Sequence, residues 1–211
     1  MVERVQQAER TQGVYTLDAF VGDVRATLAA TGVTEPGLER LGKLMQRLVS
    51  EGDAIQPGDI EKIEAGSKPS RFYTSTDGGL TLVLGRFGPE APTRVHNHGS
   101  WGVACIYAGR DLYTGWRRED PGSGAGAARL KNLGTRVLGR GDYVYWMDPP
   151  QDLHSQQGYD GEVAWEYVLF GHDTMGQPRL YFDLAADEAW EGPVSELRAP
   201  YPAGRSGTPS A

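Results

Sequence analysis

Two periodicities divide the chain. After a polar opening, MVERVQQAERTQG, apolar residues recur every three to four positions at Leu17, Phe20, Val21, Val24 and Leu28, and the pattern stops near Gly32. That spacing puts them on one face and predicts an amphipathic helix. Thr34 can cap a second helix, with Glu35 and Pro36 in its first turn and Leu38, Leu41, Leu44, Met45 and Leu48 along its buried stripe before Gly52. Both stripes read as packing faces. From about Ser67 the pattern changes to short strands punctuated by glycine and proline, expected at 71–76, 80–87, 93–96, 101–107, 111–117, 129–137, 142–146, 154–157, 163–170 and 179–182. Regular short strands with turn signals between them predict a β-sandwich or barrel. No helices alternate with these strands, which argues against a parallel α/β sheet.

The expected organisation is one structural domain: an N-terminal tail and helices over 1–66, a barrel over 67–192 and a flexible Pro/Gly/Ser-rich tail over 193–211. At 211 residues the chain is long enough to bury a sizeable core. A net charge of −7 without a basic stripe argues against a nucleic-acid partner. No apolar run approaches the roughly 20 residues of a membrane span, and the N-terminus lacks a secretory apolar segment, so a cytoplasmic protein with no membrane partner is expected. A monomer or a homodimer fits the acidic surface. The single cysteine, Cys105, excludes an internal disulfide and reads as an inert buried thiol.

Candidate chemistry centres on TRVHNHGSWGVACIYAGRDLYTGW, residues 93–116. In an extended strand residues i and i+2 share a face, so His96 and His98 can converge on one ion while Asn97 points away. A third ligand is expected from GDYVYWMDPPQDLHSQQG, where His154 follows a Pro-Pro corner. Three imidazoles suit iron, nickel, copper or zinc, and a site short of four protein ligands leaves positions open for chemistry.

These motifs resemble the cupins, which are double-stranded β-helices of the jelly-roll type. Gly88, His96, His98 and Gly109 approximate the first cupin motif, with seven residues between Gly88 and His96 where the motif has five, and Gly141, Pro149 and His154 approximate the second. The resemblance implies a mainly β barrel with two or three N-terminal helices. Its usual glutamate ligand has no counterpart in Gly99 to Val103. Within the cupins the chain is most similar to the thiol dioxygenases, the cysteine dioxygenase and 3-mercaptopropionate dioxygenase-like group, over about residues 15 to 185.

That likeness implies an Fe(II) centre, with Ni(II) or another divalent metal as alternatives, and a small thiol and O2 as substrates, the sulfur ending as a sulfinate. It also implies a carboxylate-binding arginine at Arg179 or Arg71, with Tyr73, Trp101 and Phe170 as pocket walls. The family's Ser-His-Tyr relay is missing: the matching positions are Glu166, Val168 and Phe170. Glu166, and His172 at the end of the same strand, are the candidate acid–base replacements. A metal-binding cupin that senses or stores a small ligand, or a cupin isomerase, is the alternative.

Overall fold

The structure, a computed structural model, describes residues 13–201 and Arg205. Two helices come first, α1 (Leu17–Thr31) and α2 (Glu35–Glu51). Thr16 and Thr34 cap them by accepting the Ala19 and Gly37 N–H groups, which would otherwise be orphaned at a helix start. A short helix absent from the sequence-based expectation, α3 (Asp59–Glu64), leads into the strands.

Twelve strands follow among the described residues. The first six are β1 (Arg71–Thr74), β2 (Thr81–Phe87), β3 (Val95–His96), β4 (Gly102–Ala108), β5 (Asp111–Arg118) and β6 (Gly126–Ala127). The others are β7 (Leu130–Leu138), β8 (Tyr143–Trp146), β9 (His154–Gly158), β10 (Ala164–Phe170), β11 (Arg179–Asp183) and β12 (Glu188–Gly192). They form two antiparallel sheets, ordered β1-β2-β10-β4-β8 and β6-β12-β11-β3-β9-β5-β7. From β2 onward the chain repeatedly crosses from one sheet to the other. This is the winding of a double-stranded β-helix, and the fold is the mainly β cupin barrel.

The five-stranded sheet has two unlike faces. Leu82, Leu84, Val103, Cys105, Tyr167 and Leu169 point outward onto Phe20, Val24, Leu38, Leu41 and Met45 of the helices and form the larger apolar core. Val83, Ala104, Ile106, Val144, Val168 and Phe170 point into the barrel. The helices lie close to the sheet because Gly42 faces the Tyr143 ring, where an added Cβ would stand 2.2 Å from a ring carbon. Cys105 is buried on the helix side, and burial pushes its thiol up to about 12, as expected of an inert cysteine.

Residues 193–201, expected within a flexible tail, instead pack on the barrel. A 3-10 turn at Val194–Arg198 follows β12, and the buried Arg94 guanidinium holds the segment by hydrogen bonds to Glu196 and to the Ala199 and Pro200 carbonyls. The Arg94 side chain is only 3% exposed, so burying it is favourable only with such partners. Residues 202–204 and 206–211 of the expected tail, and the N-terminal residues 1–12, lie outside the described residues. Among the described residues no helix is long and apolar enough to cross a membrane.

Candidate metal centre

His96 ends β3 and lies directly opposite His154, the first residue of β9, so the two rings rise from the same face of the seven-stranded sheet. β3 stops at His96, yet the extended path continues. Asn97 donates its N–H to the Leu180 carbonyl at 3.1 Å and its side-chain oxygen accepts the Leu180 N–H at 2.7 Å. His98 therefore returns to the face of His96. The buried Asp152 carboxylate then fixes the turn by accepting the N–H groups of His98 and Gly99 at 2.8 and 2.7 Å.

The three imidazoles converge. Their ring centroids are 4.7 to 4.8 Å apart, and the Nε2 atoms of His98 and His154 stand 3.2 Å from each other. Two imidazole nitrogens bound to one ion at about 2.0–2.1 Å, at a right or tetrahedral angle, would be separated by about 2.9–3.4 Å. Each ring is buried. Burial, reinforced by His154 and Arg179, holds His96 well below the usual imidazole range, and burial with Arg179 and His154 does the same to His98. His154 is pushed down to about 3 by burial, then by Arg179. All three are neutral at neutral pH and offer lone pairs. His96 Nδ1 lies 2.8 Å from the Arg94 carbonyl, which can only accept, so its proton sits there and Nε2 is free to ligate. The residues thus fit a divalent transition metal, and His96 also has the outer hydrogen bond that orients a ligating ring.

Aromatic rings enclose the histidines. Trp146 stacks on His98 at 5.1 Å and donates Nε1–H to the Ser100 carbonyl, while Phe170 and Tyr113 lie 4.9 and 5.2 Å from His98 and His154. Trp146 fits because its β4 partner is Gly102, where a Cβ would come within 2.3 Å of the indole.

The centre opens into a cavity of about 350 Å³ lined by the three histidines, Glu166, Val168, Phe170 and Arg179, with Val194, Leu197 and Arg198 at its rim. Arg179 is 5% exposed, its Nε has no partner, and burial lowers it to about 10. No ion pair of Arg179 exists among the described residues. Glu166 is buried on the opposite wall, and Gln156 Nε2 bridges it to Asp111, at 2.9 Å from Glu166 and 3.3 Å from Asp111. Burial first, and Asp111 second, raise the Glu166 carboxyl well above its usual range, and burial raises Asp111 to about 7. Burial therefore favours the protonated form of Glu166.

Four candidate positions lie elsewhere. Arg71 is spent on an exposed two-point ion pair with Asp173, at 2.9 and 3.1 Å. Tyr73 accepts from Arg25 on α1, and Trp101 packs in the helix-side core beneath Gly171, so neither walls the cavity. His172 is half-buried outside the lining. Tyr73 and Trp101 share the outward parity of β1 and β4, opposite to the face that carries the site. Sequence reasoning missed Trp146, Asp152, Gln156 and Arg198. Only the DxH spacing of Asp152 and His154 carried a usable signal.

No protein-family model matches the sequence, and no curated protein matches it. Solved structures share part of the fold. The DMSP lyase DddQ from Ruegeria pomeroyi is 21% identical over 46% of this chain and 40% of that one, with a TM-score of 0.32. A cupin-like protein from Thermotoga maritima is 18% identical over 61% of this chain and 79% of that one, at a TM-score of 0.36. An oxalate decarboxylase variant from Bacillus subtilis is 23% identical over 45% and 22% of the two chains, at 0.34. The chain spans about two-fifths of the lyases it matches. Fold and site together define a cupin barrel with a three-histidine centre for a divalent transition metal.

Proposed function

We propose that this protein is a non-haem oxygenase that uses Fe(II) to oxidise the sulfur of a small thiol with O2. The observation that carries this reading is the opening of three neutral, carboxylate-free imidazoles into the same cavity as an unpaired, buried arginine. When bound, iron would supply a soft contact for sulfur and one-electron chemistry toward dioxygen. Arg179 binds the substrate carboxylate by paired N–H donation and so orients the thiol toward the histidines. Trp146 and Phe170 exclude water from that side. Glu166, held protonated, is the proton donor and acceptor that stands in for the missing relay, since Val168 and Phe170 can exchange no proton. The overall conversion, thiol plus O2 to sulfinic acid, needs no further reductant.

The apolar Val168 and Phe170 favour one other reading, a metal-holding cupin that binds a small ligand without turnover. Elemental analysis of protein purified without added metal, followed by oxygen uptake with cysteine, 3-mercaptopropionate and cysteamine, separates the two. Stoichiometric iron with thiol-dependent uptake that disappears in His154→Ala is expected. A filled site with no uptake on any thiol supports the binding protein.

A further inference from the structure

The cavity holds a second cation for which the proposed reaction has no use. Arg198, in the 3-10 turn that closes the rim, lines the cavity together with Arg179. Its guanidinium is held in place by donation to the Arg86 carbonyl and by lying 5.2 Å above the Phe87 ring. No carboxylate pairs with it among the described residues: Arg86 takes Glu64, and Arg94 takes Glu196. The carboxyl nearest to Arg198 in the cavity is Glu166, whose side chain is hydrogen-bonded to Gln156 and not to Arg198. Two guanidiniums from different elements, the buried Arg179 of β11 and the more exposed Arg198 of the rim, thus line one cavity, and neither is ion-paired to a carboxylate of the described residues. At the buried Arg179 an unpaired charge is costly unless a ligand supplies the partner, and Arg198 stands beside it with its charge also uncompensated. At about 350 Å³ the cavity is also larger than a short thiol acid needs.

We propose that the substrate carries two carboxylates, one bound by Arg179 and the other by Arg198, which makes it a mercapto-dicarboxylic acid. The sulfur chemistry rests on the reading above, whereas the second carboxylate rests on Arg198. The first test therefore requires no turnover. Succinate and butyrate, with one carboxylate more and fewer on the same carbon chain, are titrated by calorimetry into iron(II)-loaded protein under argon. Succinate is expected to bind at least about tenfold more tightly. Arg198→Gln should bring succinate to the affinity of butyrate, Arg198→Lys should keep most of the preference, and Arg179→Gln should weaken both ligands. Equal affinities in the wild type, no binding of either ligand at millimolar concentration, or a preference that survives Arg198→Gln overturns the proposal.

The second test is oxygen uptake in air with mercaptosuccinate and 3-mercaptopropionate. A KM at least about tenfold lower for mercaptosuccinate, lost in Arg198→Gln, supports the dicarboxylate substrate. An intact succinate preference without uptake on any thiol overturns the thiol reading and leaves the two-carboxylate cavity supported.

Discussion

Strand β10 runs through the middle of the five-stranded sheet with all seven residues buried, yet its two faces do opposite work. Tyr167 and Leu169 join the helix-side core, which is apolar. Glu166, Val168 and Phe170 line the cavity, where a carboxyl, an arginine and three imidazoles sit with few internal partners. Burial alone therefore does not mark a position as structural. What separates the faces is whether the polar groups are satisfied from within, since the cavity leaves Arg179 Nε and the Nδ1 atoms of His98 and His154 without a partner.

Breaking the two faces should give separable losses. The largest is expected on the cavity side: His154→Ala removes one of three ligands and should abolish metal retention and oxygen uptake, seen by elemental analysis, while the urea midpoint of metal-free protein changes little. On the helix side, Leu169→Ala should cost about 2–5 kcal/mol of stability by opening a cavity, with metal content unchanged. Arg179→Gln should raise KM about 10–100-fold with kcat nearly preserved, the signature of lost substrate binding.

A pH series sharpens the contrast. The native state keeps Glu166 protonated well above the ordinary 4.5, so the stability this provides is full below that pH and is lost as the pH rises. Glu166→Gln cannot ionise and should lose less stability than wild type between pH 5 and 8, by urea denaturation. His154 acts in the opposite sense, contributing stability above 6.5 that is lost as the pH falls toward about 3. The smallest effect is expected at Arg71→Ala, which removes an exposed ion pair and should cost at most about 1 kcal/mol without moving KM.

The parts legible in the sequence were those written in local patterns. The cap Thr34 and the stop near Gly32 could be read directly, as could the strands that start at Arg71, Asp111, His154 and Arg179 and the i, i+2 pair His96 and His98. Misplacing Trp101 and Tyr73 was an error of parity: Trp101 precedes Val103 and Cys105 by even steps and must share their outward face. β12 was missed because EAWEG has little β-branched or alternating character, and it exists by pairing with β11. Arg198 and Asp152 act over long separations in sequence. Nothing local to Arg198 announces a cavity rim, and the DxH spacing places Asp152 beside a ligand without announcing its clamp on the His98 turn.

Arg94 has one further consequence. Its carbonyl orients the imidazole of His96, while its side chain grips Glu196 and the carbonyls of Ala199 and Pro200. During synthesis the ribosome delivers that grip only after all three histidines have emerged. A chain truncated before residue 194 would hold all three histidines and still fail to finish the mouth of the cavity they line.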